Sequence, residues 1–283
     1  MITRRAFNIC AASAIALPAT GVAWAAPTVA EDSFPPLPKE LLAASAEADF
    51  FSTKLDRTAL GKNDPGAAKI KMAQEIINAA PKNCRPIDVA YYFRDLGKGT
   101  TPFGEEGRPY ARGWPRLYNP LIIEFFKATS LNPLAPNFGG DATPWCAAFM
   151  NFCIARATAK NGLIGTGLTN GTRNASSGSF RCFGDPLAKE IEPEEGDIAV
   201  WALDGTVDGC KQGTGHVGFF VAKTEDDKKP FYILGGNQSG NLLVNTETRN
   251  DGIFVKAMPR AYLAGKNSQR YKRFFAFRTA AFL

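Results

Sequence analysis

The period of the chain changes at Gly196, and that change limits the folds open to it. Before it, apolar residues recur at helical spacing over 39–60, 67–79, 87–96 and 119–129, with turn signals such as Lys62-Asn63-Asp64-Pro65-Gly66 between them. After it, runs rich in Val, Ile and Phe at 197–203, 217–224, 231–234, 242–248, 253–258 and 273–282 read as strands divided by short turns. Helices followed by roughly six strands predict an α+β protein built on an antiparallel sheet. With 45% hydrophobic and 21% charged residues, the 283-residue chain can bury a sizeable core.

One helical stretch carries a cysteine at its start: Thr143-Pro144-Trp145-Cys146-Ala147-Ala148-Phe149. Thr143 suits an N-cap and Pro144 the first helical position, which sets Cys146 in the first turn. A thiolate there gains from the positive end of the helix dipole, and the thiolate is the nucleophilic form. Apolar residues at 146, 149, 150, 153, 154 and 157 would bury one face. A small buried cysteine on that face is the competing reading. Lys160-Asn161-Gly162 is the expected stop, and the polar stretch 162–183 is a loop long enough to line a site.

His216 is the only histidine, in Gly215-His216-Val217-Gly218 at the mouth of a strand. A thiol nucleophile near neutral pH works best beside an imidazole, and only His216 can supply one. A lone structural histidine is the alternative. Centring the turn of the following hairpin between Asp226 and Asp227 sets His216 opposite Asn237. An asparagine amide oxygen there can orient the imidazole, as in a Cys-His-Asn triad. After Gly235 and Gly236, Asn237 also reads as a plain turn residue.

Five segments in this order resemble the CHAP domain family (cysteine, histidine-dependent amidohydrolase/peptidase): 119–129, Thr143-Pro144-Trp145-Cys146, Gly196-Asp197-Ile198, Gly215-His216-Val217-Gly218-Phe219 and Leu234-Gly235-Gly236-Asn237-Gln238. They look closest to its bacterial and phage subgroup with Pro-Trp-Cys and Leu-Gly-Gly-Asn-Gln signatures. The subgroup's Ser-Trp-x-x-Trp-Gly is here Ser179-Phe180-Arg181-Cys182-Phe183-Gly184. The resemblance spans 117–280 and implies a papain-like fold, with the catalytic helix packed on the sheet. It implies amide hydrolysis in peptidoglycan, as an amidase or an endopeptidase, through an acyl-enzyme. Cys146 is then the nucleophile, its backbone N–H one oxyanion donor, His216 the general base and acid, and Asn237 the orienting residue.

Trp145, Trp201, Gln238 and Asp141 are the expected substrate contacts. The two tryptophans read equally as core residues, and Asp141 as a loop residue or a contact for a substrate amine. The expected partner is the peptide stem of peptidoglycan, bound by a monomer without cofactor or metal. Three alternatives keep the same residues: a non-catalytic envelope-binding protein, a thiol acyltransferase and a peptidase of proteins.

Thr3-Arg4-Arg5-Ala6-Phe7, the apolar run to Val22 and Ala23-Trp24-Ala25 read as a twin-arginine signal peptide over 1–25, too short for a membrane span. Residues 26–38 are a proline-rich linker, 39–116 a helical region of unassigned role, and 117–283 the hydrolase-like domain. A periplasmic or secreted location follows. Removing Arg4 and Arg5 lowers the formal charge from +6 to +4, suited to an anionic envelope but without the basic stripe that nucleic acid requires. Five cysteines remain. One free thiol leaves two disulfides, expected as Cys182–Cys210 and Cys84–Cys153.

Overall fold

Helices come first in the chain, as the apolar spacing requires. They are α1 (Ala67–Ala79), α2 (Pro86–Lys98), the single turn α3 (Gly104–Gly107), α4 (Pro120–Phe126) and α5 (Cys146–Thr158). The computed structural model describes residues 63–115, 117–158, 171–203, 213–239, 251–263 and 269–279. The expected signal peptide, linker, 39–60 helix, 242–248 strand, Lys160-Asn161-Gly162 stop and Cys210 lie outside them. No described helix is long and apolar enough to cross a membrane.

Phenylalanines lock the helices together. Phe93 of α2 meets Phe125 of α4 at 5.2 Å between ring centroids, and Phe125 meets Phe149 and Phe152 of α5 at 5.3 and 4.9 Å. These edge-on and tilted contacts suit aromatic quadrupoles. The same core takes in Ala73 and Ile76 of α1 and runs on to the sheet residues Ile198, Val217 and Leu234. It crosses position 117 without a break, so the helices of 67–107 are one layer with α5.

Cys84 and Cys153 do not form the expected bridge; both are free thiols. Cys153 is fully buried among these aromatic rings, and Cys84 packs at the edge of the same core, so each acts as a small apolar residue. Cys182 is disulfide-bonded, with a partner outside the described residues.

Arg156 ties α5 to the end of α1. Its guanidinium, fully buried, donates to Ala80 O at 3.0 and 2.6 Å and to Asn78 O at 2.9 Å. A cation on the last carbonyls of a helix also meets the negative end of its dipole. Arg156→Met is expected to cost about 3 kcal/mol in urea unfolding, because the Ala80 carbonyl stays buried without its donors.

The described residues then form seven strands: β1 (Asp185–Pro186), β2 (Ile198–Leu203), β3 (Gly215–Lys223), β4 (Phe231–Ser239), β5 (Asp251–Met258), β6 (Ala261–Leu263) and β7 (Tyr271–Thr279). They pair antiparallel in the order β1-β7-β2-β3-β4-β5, with β6 on β7. The α+β class with an antiparallel sheet is therefore observed, and α5 lies against β3 and β4. Short β1 and β6 have too few residues to show alternation in a sequence.

Alternation divides the sheet into two faces. Ile198, Val200, Val217 and Phe219 join the helical core, while Ala199, Trp201, Phe220 and Ile233 form a second cluster with Phe231. That second face closes on itself. Phe231 of β4 lies 5.2 Å from Phe274 and 5.1 Å from Phe277 of β7. In a flat sheet, strands three places apart stand about 14 Å from each other. The sheet is thus strongly curled, with register shifts at Val200/Trp201, Phe220/Ala222 and Gly235/Gln238 supplying the bends.

Candidate active site

The helix that carries Cys146 starts later than the sequence suggests. Its first bond runs from Phe149 N–H to Trp145 O, so Cys146 is the first helical residue. Thr143 does not cap it. Pro144 holds Thr143 extended, and the Thr143 hydroxyl accepts from Gly139 N–H at 3.0 Å. The loop before the cysteine is fixed from below by Asp141. Its buried carboxylate accepts from Trp114 N–H at 3.2 Å and Asn119 N–H at 2.8 Å. Asn119 caps α4 through Leu121 N–H at 2.8 Å and donates to Tyr110 O and Arg112 O.

Trp145 anchors the helix start. It is fully buried, 6.1 Å from Phe125 and 6.4 Å from Phe149, and its indole N–H donates to Asp251 at 2.9 Å. Gly236 of β4 lies against it: a Cβ there would stand 2.5 Å from the indole ring.

The mouth of β3 receives the sulfur. The β3–β4 ladder runs Lys223↔Phe231 and Ala222↔Tyr232, then slips by one so that Phe220 faces Ile233 and Phe219 faces Leu234. Continued, this register sets His216 opposite Asn237. At the hairpin end the pairing is one residue off the expected register, and the bulge at Val221 restores it nearer the site.

The ladder stops short of that point because β4 bulges between Gly235 and Gln238 against β5. Asn237 sits in the bulge with φ 57°, a left-handed conformation that asparagine tolerates better than most residues. The backbone N–H groups of Val217, Ala147 and Cys146 favour the charged form of the Cys146 thiol, against its burial.

Cys146, His216 and Asn237 line one cavity of about 650 Å³. Cys146 belongs to the helical core, whereas His216 pairs with Trp201 of the second face, 6.1 Å between rings. The opening between β3 and β4 lets residues from both faces reach the same space. Asn174, Ser176 and Ser177 from the polar loop line it as well, as do Lys256 of β5, Tyr262 of β6 and Lys272 of β7.

Burial sets the charge states. It pushes the Cys146 thiol up, against the pull of Lys272 and the three N–H donors. Burial, then Lys272 and Lys256, pushes His216 down to about 3. Both shifts favour the neutral thiol and the neutral imidazole at rest. His216 Nε2 is buried and has no hydrogen-bond partner among the described residues.

Of the other expected contacts, only Gln238 lines the cavity; it is buried, and its Nε2 donates to Ile233 O at 3.2 Å. The remaining three need correction. Trp145 and Trp201 are fully buried, Trp201 donating to Pro259 O at 2.9 Å, because large rings fill the two cores. Asp141 is consumed by backbone N–H groups.

Lys256, Tyr262 and Lys272 were not expected. Lys256 was the sole charge in an apolar strand, a usable signal; Lys272, in Arg270-Tyr271-Lys272-Arg273, offered none. Among the described residues no cluster of His, Cys, Asp and Glu could hold a metal ion. A scan against protein-family models, a search of curated proteins and a search of solved structures each found no match.

Proposed function

We propose that this protein is a cysteine hydrolase of amide bonds in peptidoglycan, on a papain-like fold of the CHAP type, exported through the signal peptide at 1–25. One observation carries the reading: a cysteine at a helix start, the chain's single histidine and an asparagine in a strained bulge, far apart in sequence, line one cavity.

Neutral His216 acts as a base and takes the Cys146 proton as the sulfur attacks the amide carbonyl. The C–S bond forms, and the carbonyl oxygen gains the charge. The backbone N–H of Cys146, at the start of the helix, is the donor to that oxyanion. His216 returns the proton to the leaving amine. Water then splits the thioester, with His216 again as base. Asn237 holds the imidazolium through the ring nitrogen not facing sulfur, and the orphaned Nε2 supplies the place for such a bond.

The test is digestion of purified sacculi by wild type and by Cys146→Ala, with mass analysis of the released fragments. New amino termini from the wild type alone support the proposal and identify the bond. Release of identical fragments by both proteins, or by neither across pH and reducing conditions, sinks it.

A further inference from the structure

We propose that the cavity selects an acyl group bearing a carboxylate, with the Lys272 ammonium as the main counter-charge and Lys256 as a second. This rests on Cys146 being the nucleophile of the proposed hydrolase, and it specifies the substrate class: an acidic peptide whose anion lies next to the scissile amide.

Position is the first argument. Lys256 and Lys272 lie on β5 and β7, well separated in the strand order, and the curl of the sheet brings both to the cavity that holds Cys146. No Asp or Glu is among the described residues lining it. Lys256 Nζ donates to Ser239 O at 2.8 Å, which fixes its head at the wall. Lys272 Nζ stands 5.8 Å from the centre of the Tyr262 ring, which lines the same wall.

Electrostatics is the second. Lys272 acts on the Cys146 sulfur and on the His216 ring alike, so its charge reaches the reacting atoms. A cation placed there works against the imidazolium that forms during catalysis. A substrate carboxylate on Lys272 offsets that opposition, so an anionic acyl group gains in the step that charges His216 as well as in binding.

Gln238 is the third. Its Oε1 is buried and has no hydrogen-bond partner among the described residues, at the wall of the same cavity. It is an acceptor suited to a substrate peptide N–H. One N–H acceptor and a cationic patch match a peptide carrying a carboxylate.

The test reads the cavity without any hydrolysis. Iodoacetate and iodoacetamide alkylate a thiolate by one displacement: the S–C bond forms, the C–I bond breaks, and iodide leaves. They differ in charge and little in size. A change in the Cys146 pKa or its access affects both rates together, so their ratio reports the anion preference alone.

Cys146 alkylation is followed by mass mapping in the full chain, with the urea-unfolded chain as reference. The native ratio of iodoacetate to iodoacetamide rate is expected roughly tenfold above the unfolded ratio, and to fall as salt is added. Lys272→Met is expected to remove most of the excess, Lys272→Arg to keep it, and Lys256→Met to remove a smaller part. A native ratio equal to the unfolded one overturns the proposal, as does a ratio unmoved by both methionine variants. A raised, lysine-dependent ratio in a protein that leaves sacculi intact supports the anion site and discards the peptidoglycan reading alone.

Discussion

His216→Gln is expected to abolish hydrolysis while making the protein more resistant to acid. The activity side follows from the mechanism. Without His216 no side chain takes the proton of a buried thiol whose pKa burial has raised. Loss of a triad base costs roughly 10^4- to 10^6-fold.

The stability side follows from linkage. Folded His216 sits near 3, against an unfolded value of about 6.5. Between these values the unfolded chain binds a proton that the folded chain refuses. Native stability is therefore intact above pH 6.5 and falls as pH drops from 6.5 toward 3, by up to roughly 5 kcal/mol from this one group. Glutamine does not titrate and keeps a polar head for the same space. Urea unfolding of both proteins at pH 7 and pH 4 measures the difference. The wild type should lose several kcal/mol more than the variant over that interval. Equal losses would mean that His216 is charged in the native state, and the general-base account would fall with that result.

Gly215→Ala is the second large effect, and it concerns the frame of the site. A Cβ at Gly215 would stand 1.9 Å from the Trp201 carbonyl oxygen and 2.9 Å from its carbon. Both belong to the backbone of β2, which is paired with β3 and β7 and cannot yield as a side chain tip does. Forcing the strands apart breaks the ladder at Trp201↔His216 and moves the base itself. The expected cost is at least about 3 kcal/mol, a fall in melting temperature on the order of 10 °C for a chain of this size. A thermal melt by circular dichroism measures it. A shift below about 2 °C would show that β2 and β3 do not approach as described.

Strong, long patterns carried well from sequence to structure. The helix at 67–79 and the strands around 197–203 and 253–258 stand where the spacing placed them, because each has one clear period over many residues. Local chemistry misled where a tertiary contact outweighed it. Thr143-Pro144 has the form of a helix start, but Trp145 must enter the core against Gly236, and the chain stays extended until Cys146. Asp141 read as a loop residue or a contact for a substrate amine, and the backbone N–H groups of Trp114 and Asn119 take its carboxylate instead. Cys84 and Cys153 satisfied an arithmetic of pairs, yet Cys153 is buried in the aromatic core and Cys84 packs at its edge, each as a free thiol.

The sequence by itself determined the helices-then-strands order, the unique imidazole, and the hairpin that brings His216 toward Asn237, since all of these depend on residue type and short-range spacing. Only the tertiary structure decided which side chains share the cavity. The curl of the sheet carries Lys256 of β5 and Lys272 of β7 to the cavity that Cys146, His216 and Asn237 line. The curl brings together phenylalanines that are strands apart, such as Phe231 on Phe274 and Phe277, and no local pattern records which distant ring each will meet.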